Sequence, residues 1–195
     1  MQDLGSLSML RLRAVDTGMP QLIAEQCFSL LKPAAAGILA HCRAVIADAE
    51  RLWWPHYGFS ATPLDLAWIE HEPALCAVQR VSPISQLGIL KMPDHYTYHW
   101  HRDQNRLACI NLLLSVEQHS HTLFGEPVDQ LNMHCLELQY QPGRYYLFNN
   151  QVPHAVINLD VDRYLLSLEF QQAVAYPDLR CLLQQADLLV QSSGS

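Results

Sequence analysis

Three residues of this sequence have the types and spacing of a metal-binding site: His101, Asp103 and, some fifty residues later, His154. In an extended strand the side chains of residues i and i+2 lie on one face, so His101 and Asp103 can point at the same ion. His154 would supply a third ligand from a distant strand. Two imidazoles and one carboxylate on one side of a metal suit a redox ion such as Fe(II), because the remaining coordination positions stay open for other molecules.

The same histidines and aspartate are also compatible with structural roles or with a different set of ligands. His101 and Asp103 can form a structural hydrogen bond, with the later histidine an unrelated surface residue. A shifted ligand pair would combine His99 with His101. His119 and His121 can also bind metal, although two histidines in a polar segment more often belong to a solvated loop. The short His-x-Asp pattern does not decide among these alternatives, because a chain with ten histidines contains such patterns by chance.

The segments around the two histidine positions predict strand ends. Residues 84–100 predict two strands separated by a turn at 92–95, and His101 follows directly. His154 lies in a similar frame, after a turn at 149–153 and before a predicted strand at 155–157. Further strands are predicted at residues 108–115, 135–140, 145–148 and 163–170. Both groups of candidate ligands therefore fall beside turns, where the mouth of a β-barrel would place them.

From about residue 84 to residue 170 the sequence resembles the 2-oxoglutarate and Fe(II)-dependent oxygenases, and within them the aspartyl/asparaginyl β-hydroxylase-like branch. The matching motifs are residues 101–103, residues 141–148, residues 153–158 and Arg163, which follows nine residues after His154. The resemblance implies a fold that is mainly β with flanking helices, built on a double-stranded β-helix core, the cupin-type jelly roll. It also implies Fe(II) as the metal, 2-oxoglutarate as cosubstrate, and O2.

The resemblance implies roles for further residues as well. Arg163 would hold the far carboxylate of 2-oxoglutarate, because a guanidinium grips a carboxylate with two parallel hydrogen bonds. Ser167 lies four residues on, on the same strand face, and would add a hydroxyl bond. The alternative for Arg163 is a surface salt bridge with Asp160 or Asp162. Weaker candidates for contacts with the metal ligands or the cosubstrate are Asn111, Tyr98 and Arg106.

Composition limits the classes of partner. The net charge is -7 and lysines and arginines do not cluster, so we expect neither nucleic acid nor an anionic membrane surface as a partner. We find no apolar run long enough for a membrane span and no signal peptide. The six cysteines are scattered without a Cys-x-x-Cys pair, which favours reduced thiols in a cytoplasmic protein. The sequence does not predict an oligomeric state.

We predict a single domain over residues 1–195. Its parts are a mostly helical support segment at 1–83, the jelly-roll core with the metal site at 84–171, and a C-terminal helix and tail at 172–195. The first helices are expected to pack outside the barrel, or alternatively to bind a partner. A long loop at 116–134 is expected to contact substrate. The elements predicted outside the core are helices at 21–31, 34–54 and 177–189, a strand at 7–15, and short strands at 64–69 and 76–81.

The function predicted from these observations is a 2-oxoglutarate- and Fe(II)-dependent oxygenase. It would hydroxylate an amino acid, a peptide side chain or a small metabolite, and would decarboxylate 2-oxoglutarate to succinate. One alternative is a cupin-type metalloenzyme that does not use 2-oxoglutarate, and another is a metal-free barrel that binds a ligand or partner. Asp103 together with the trailing Arg163 favours the oxygenase, because many other cupins carry more histidine ligands and a glutamate.

Overall fold

The structure is a computed structural model that describes residues 22–115 and 119–190. The predicted strand at 7–15 and the tail at 191–195 lie outside these residues. The strands are β1 (Phe28–Pro33), β2 (Trp54–His56), β3 (Phe59–Pro63), β4 (Ile84–Met92), β5 (Tyr96–His101), β6 (Ala108–Leu113), β7 (Ser120–Pro127), β8 (Met133–Glu137), β9 (Arg144–Asn149), β10 (His154–Asn158) and β11 (Arg163–Phe170). The helices are α1 (Ala24–Cys27), α2 (Ala36–Ala47), α3 (Pro73–Val81), α4 (Tyr176–Gln185) and a 3-10 helix at Leu66–His71.

Two antiparallel sheets form the body of the protein. The larger sheet has seven strands in the order β1-β9-β6-β11-β4-β3-β2, and the smaller has four in the order β5-β10-β7-β8. Strands that are neighbours in these sheets are often far apart in the chain, as β11 is from both β4 and β6. This is the jelly-roll, double-stranded β-helix core that the sequence predicted.

The central strands of the larger sheet are buried on both faces, which explains why their sequences are almost continuously apolar. On β11, Leu166 and Leu168 belong to the hydrophobic cluster that includes the helices. Leu165 and Ser167 alternate with them and line a cavity between the sheets. One face of β11 therefore packs against the helix layer, and the other face lines the cavity.

The helices form a support layer against the outer face of the larger sheet, as expected for α2. Ile38 of α2, Leu75 of α3 and Leu179 of α4 are all buried in the cluster that this sheet face forms. Glu72 fixes the start of α3, because its carboxylate accepts a hydrogen bond from the backbone N–H of Ala74.

Several predicted elements before residue 84 are wrong. The apolar spacing at 21–31 suggested a helix, but only Ala24–Cys27 is helical and the following residues form β1, which pairs with β9. The helix predicted to residue 54 ends at Ala47, and β2 and β3 follow. The short segments predicted as strands at 64–69 and 76–81 are a 3-10 helix and part of α3. Because β1, β2 and β3 all join the larger sheet, that sheet begins well before residue 84.

The prediction of a long loop at 116–134 is also wrong, because Ser120–Pro127 forms β7 in the middle of the smaller sheet. Thr122 and Phe124 point inward and are buried, whereas His121 beside them is exposed. Buried and exposed residues do alternate along this segment. The pattern is hard to recognise in the sequence because the outward-facing residues are polar. None of the helices in the described parts of the chain is long and apolar enough to span a membrane.

Candidate metal centre

The two histidines are held in a tautomer that leaves their Nε2 atoms free. Nδ1 of His101 lies 2.7 Å from the carbonyl oxygen of His99, and Nδ1 of His154 lies 2.9 Å from that of Val152. A carbonyl only accepts hydrogen bonds, so each Nδ1 carries the proton and donates it. In the neutral form of such a ring the lone pair is on Nε2, which is the atom that would bind a metal.

Asp103 is oriented with one oxygen toward these histidines. Its Oδ2 receives the Nε and Nη2 of Arg106 at 2.9 and 2.8 Å, and the side-chain amide of Asn150 donates to the same oxygen. Oδ1 instead lies 3.4 Å from Nε2 of His101 and 3.8 Å from Nε2 of His154. The three candidate ligand atoms all lie within 4.8 Å of one another.

This convergence fits a cation better than a structural hydrogen bond. The distance of 3.4 Å from His101 to Asp103 is longer than a charge-assisted hydrogen bond. Burial lowers the pKa of His154 to about 4, so this ring is neutral near pH 7. Burial disfavours the charged form of Asp103, but its contact with His101 and the charge of Arg106 outweigh burial and hold its pKa well below the ordinary value. Two imidazole Nε2 atoms and one carboxylate oxygen thus lie close together, and this is a donor set that suits a divalent metal.

The backbone brings the three residues together in a way that the i, i+2 argument only partly anticipated. His101 ends β5 and pairs with His154 of β10, and a register irregularity follows, since the next pair is Val156 with Tyr98. Irregularities of this kind re-aim side chains near functional sites. Asp103 lies beyond the strand end, where its N–H donates to the carbonyl of Asn150 at 3.1 Å. A link between two loops therefore positions the carboxylate, rather than continuation of the strand.

A cavity of about 570 Å³ opens between the sheets and is lined by His101, His154 and Arg163 together. Arg163 is only 4% exposed, and its Nη2 donates to Thr122 Oγ1 at 3.0 Å. Within the described ranges no carboxylate lies at ion-pair distance from this guanidinium. The two aspartates proposed as surface partners are engaged elsewhere, Asp160 with His119 at 2.7 Å and Asp162 with Lys91 at 2.7 Å. A buried guanidinium without an anion is costly, which makes this end of the cavity suitable for an anionic ligand.

Two further predicted residues line the same cavity with unused hydrogen-bonding atoms. Asn111 and Ser167 face each other across β6 and β11. Their Oδ1 and Oγ atoms, and the Nε of Arg163, are buried without a hydrogen-bond partner among the described residues. Native proteins rarely leave three such atoms in one place, so a polar ligand would satisfy them. The Asn111 amide can turn its NH2 group to the same position by rotating 180°.

The remaining candidates separate into those near the site and those outside it. Tyr98 lines the cavity, with its ring 4.2 Å from that of His101. Arg106 contacts Asp103 and, through Nη1 at 3.3 Å, Glu169. His99 is exposed and contributes its backbone carbonyl. Predicted as possible loop ligands, His119 and His121 form pairs away from the site, the latter with Glu137 at 2.6 Å.

Sequence reasoning missed several residues of the site. Asn150 was predicted only as part of a turn, but its side-chain amide donates to Asp103. The Cys109 thiol donates to Oδ1 of Asn150 at 3.2 Å, and this contact sets the orientation of the amide. Thr122, the partner of Arg163, lay in the segment read as a loop. Gln151 links the loop after β5 to the turn before β10, because its Nε2 donates to the carbonyls of Asp103 and Arg106 at 3.0 and 3.1 Å. The adjacent amides at 149–151, beside a candidate ligand, are the only sequence signal for these contacts.

Comparisons with known proteins give a match in structure. No family model and no curated protein matches this sequence. Solved structures do match, among them a 2OG-Fe(II) oxygenase family oxidoreductase from Burkholderia pseudomallei, at 12% identity, with 72% of this chain and 81% of that chain covered and a TM-score of 0.50.

Two further matches have similar scores. A prolyl hydroxylase from Trichoplax adhaerens, in complex with a hypoxia inducible factor peptide fragment, covers 80% of this chain and 87% of its own at 12% identity and a TM-score of 0.52. HygX from Streptomyces hygroscopicus, with nickel and 2-oxoglutarate bound, covers 77% and 87% at 13% identity and a TM-score of 0.50. At these identities the matches establish the fold, and this chain has the fold of the 2-oxoglutarate and Fe(II)-dependent oxygenases.

Proposed function

We propose that this protein is a 2-oxoglutarate- and Fe(II)-dependent oxygenase that hydroxylates an amino acid, a peptide side chain or a small metabolite. The observation that carries the proposal is the convergence of His101 Nε2, His154 Nε2 and Asp103 Oδ1, with no more than 4.8 Å between any two of these atoms. His101 and His154 line the inner cavity, and three protein ligands would leave further coordination positions of a bound metal open to other ligands.

The protein's part in holding the metal follows from the contacts behind each ligand. The backbone carbonyls behind His101 and His154 accept from Nδ1, so both rings are oriented with Nε2 toward the site. Arg106 and Asn150 occupy the far oxygen of Asp103, so this carboxylate would bind through a single oxygen. Ligands held in this way need little reorganisation on metal binding.

The 2-oxoglutarate assignment is supported by the buried guanidinium of Arg163. It lines the same cavity as the ligand histidines, and Ser167 and Asn111 offer unused polar atoms beside it. A dicarboxylate can bind the metal with its keto acid end and Arg163 with its far carboxylate.

When bound, Fe(II) with 2-oxoglutarate and O2 supplies the oxidation: 2-oxoglutarate, O2 and a substrate C–H group give succinate, CO2 and the hydroxylated product. The residues of this chain would orient the cosubstrate and exclude water. Phe148 and Leu165 provide apolar wall of the cavity that the two histidines and Arg163 also line. Assignment to the aspartyl/asparaginyl β-hydroxylase-like branch and to the cytoplasm rests on the sequence alone and stays a prediction.

Sequential calorimetric titrations under anaerobic conditions test the proposal. We expect one Fe(II) per chain, followed by one 2-oxoglutarate that binds only when the metal is present. Asp103→Ala should lose the metal and with it 2-oxoglutarate binding, whereas Asp129→Ala, which removes an exposed carboxylate that does not line the cavity, should retain both. Metal binding without 2-oxoglutarate binding would favour another cupin-type metalloenzyme. Binding of neither would leave a metal-free barrel.

A further inference from the structure

An open groove of about 1170 Å³ lies in front of the candidate metal centre. It shares His101, Tyr98 and Phe59 with the inner cavity, so it leads from the surface to the metal ligands. Of the segment predicted to contact substrate, the described residues 119–134 contribute nothing to its lining. The β2–β3 hairpin lines it instead, through His56, Tyr57 and Phe59.

One wall of this groove is aromatic. Phe59 of β3 lies 4.6 Å from the ring of Tyr98 on β5, and His56 lies 4.9 Å from the ring of Tyr57. Tyr57 is 74% exposed, which is a high value for a large aromatic side chain next to a candidate active site. An exposed aromatic wall at the mouth of a cavity is a surface that a ligand can cover.

The hairpin tip is held in place rather than freely mobile. Tyr57 and Gly58 both have positive φ, at 45° and 85°, as in the tight two-residue hairpin turns that match strand twist. A side chain at position 58 would meet the Tyr96 hydroxyl at 2.8 Å, so the turn packs closely against β5. The Tyr57 ring is thus presented from a defined backbone position.

Glu169 lines the same groove from β11. It lies two residues beyond Ser167, on the strand face that carries Arg163. Its carboxylate has one hydrogen-bond partner in the described part of the chain, Arg106 Nη1 at 3.3 Å from Oε1. Arg106 makes shorter contacts with Asp103, at 2.8 and 2.9 Å, so its charge chiefly compensates Asp103 and leaves Glu169 with an oxygen available.

We propose that this groove binds a prime substrate that carries a cationic nitrogen on an apolar stem. Glu169 receives the cation, and Tyr57, Phe59 and Tyr98 cover the stem and face the charge. A carboxylate attracts an ammonium or guanidinium group, and aromatic faces add cation–π attraction. This inference rests on the proposed function, since it assigns the substrate class of the same site.

The position of Glu169 places such a cation close to the reaction centre. Arg106 bridges Asp103 and Glu169, so the two carboxylates are separated by one guanidinium. A nitrogen bound to Glu169 would therefore lie on the groove side of the metal ligands, with the attached stem along the aromatic wall. Arg102 is the opposing feature, because it is an exposed cation on the groove rim and would favour an anionic substrate.

A set of three matched probes tests the charge preference. Nα-acetyl-lysine N-methylamide carries a cation on an apolar stem, the norleucine analogue is a neutral counterpart, and the glutamate analogue is an anion. Binding would be measured by NMR titration of each probe against the full chain, first without metal and then with Zn(II), which is redox-silent, and 2-oxoglutarate. We expect the lysine probe to bind at least about tenfold tighter than the norleucine probe, a difference of about 1.4 kcal/mol.

The variants make the assignment to Glu169 specific. Glu169→Gln should reduce the lysine-to-norleucine ratio to within about twofold, Glu169→Asp should restore part of it, and Glu137→Gln, which removes a carboxylate paired with His121, should leave it unchanged. Equal or absent binding of all three probes, tighter binding of the glutamate probe, or a preference that survives in Glu169→Gln would overturn the proposal. A lysine preference in metal-free protein that binds neither Zn(II) nor 2-oxoglutarate would retain the groove assignment and reject the oxygenase.

Discussion

Asn150 and Asp103 are 47 positions apart in the chain, yet they contact each other twice. The side-chain amide of Asn150 donates to Oδ2 of Asp103, and its backbone carbonyl accepts from the N–H of the same residue at 3.1 Å. The turn before β10 thereby fixes both the position and the rotation of a carboxylate that follows β5. The same turn precedes His154, so one short segment sets two of the three candidate ligands.

Asn150→Ala should therefore weaken metal binding without unfolding the protein. We expect the affinity for Fe(II) or Mn(II) to fall by about 10- to 100-fold, the usual effect of losing a residue that orients a ligand. Anaerobic calorimetric titration would measure it. The matched control is Asn132→Ala, because that amide donates to exposed Asp129 and neither residue lines the cavity. Unchanged metal affinity in Asn150→Ala would show that Arg106 alone is sufficient to orient Asp103.

Arg163 should determine how tightly 2-oxoglutarate binds. Arg163→Ala would leave the far carboxylate of the ligand without its buried charge partner, and losses of this kind amount to about 2–5 kcal/mol. We therefore expect the required 2-oxoglutarate concentration to rise by about 30-fold or more. Arg163→Lys keeps the charge but loses the planar pair of donors and should fall between wild type and alanine. The readout is the concentration of 2-oxoglutarate that half-saturates the metal-loaded protein. An unchanged concentration in Arg163→Ala would move the cosubstrate carboxylate elsewhere.

Loss of the hydroxyl group should affect the free energy of unfolding differently at two neighbouring tyrosines on β9. Tyr145 is fully buried and its hydroxyl has no partner among the described residues, so Tyr145→Phe should be neutral or stabilising. The Tyr146 hydroxyl accepts from the N–H of Gln141 at 2.9 Å and donates to the carbonyl of Gln139 at 3.3 Å. Tyr146→Phe should therefore cost about 1 kcal/mol. Urea unfolding of both variants checks this, and equal losses would indicate that Tyr145 has a partner.

Glu72 should make stability fall as the pH rises. Burial raises the pKa of this carboxyl, although backbone hydrogen bonds from Ala35 and Ala74 oppose the shift. A carboxyl whose pKa is higher in the folded state binds more protons in that state than in the unfolded one. Its contribution to the free energy of unfolding is therefore fully present below the unfolded pKa. The contribution disappears as the pH rises through the folded pKa.

The Glu72→Gln variant lacks this titration. Wild type loses stability between the unfolded pKa of the carboxyl and its raised folded pKa, and the variant does not. The free energy of unfolding of Glu72→Gln minus that of wild type should therefore increase as the pH rises through this range. The lost hydrogen bond adds only an offset that does not change with pH. Denaturant unfolding at several pH values gives the comparison, with Glu50→Gln, an exposed carboxyl beside α2, as the control. A difference that stays constant with pH would contradict the raised pKa.

The site could be predicted from the sequence to the extent that it is local. His101 ends β5, Asp103 follows two residues later and Arg163 begins β11. The turns beside them are evident from proline and asparagine. Arg106, three residues after Asp103, was among the candidates. The contact of Asn150 with Asp103 was not predictable, because it joins two loops that only the folded sheets bring together. Thr122 was not predicted as a site residue, because the polar residues that alternate along β7 resemble a loop.

The elements that failed did so for a common physical reason. The apolar residues of 21–31 fit a helical period, but pairing with β9 is a long-range contact that overrides the local pattern. Likewise Trp54, expected in a helix, starts the hairpin that lines the groove, because β3 pairs with β4 some thirty residues later. Local periodicity identifies buried faces, and the partner strand decides which structure buries them.

Succinate release is the most direct measure of the central claim. Purified protein would be loaded with Fe(II) under anaerobic conditions and exposed to O2 with 2-oxoglutarate, while succinate and CO2 are quantified. We predict slow formation of both in equal amounts, dependent on Fe(II) and absent in His101→Ala, and faster formation when a substrate is added. No succinate from protein that demonstrably binds Fe(II) would contradict the assignment as a 2-oxoglutarate-dependent oxygenase.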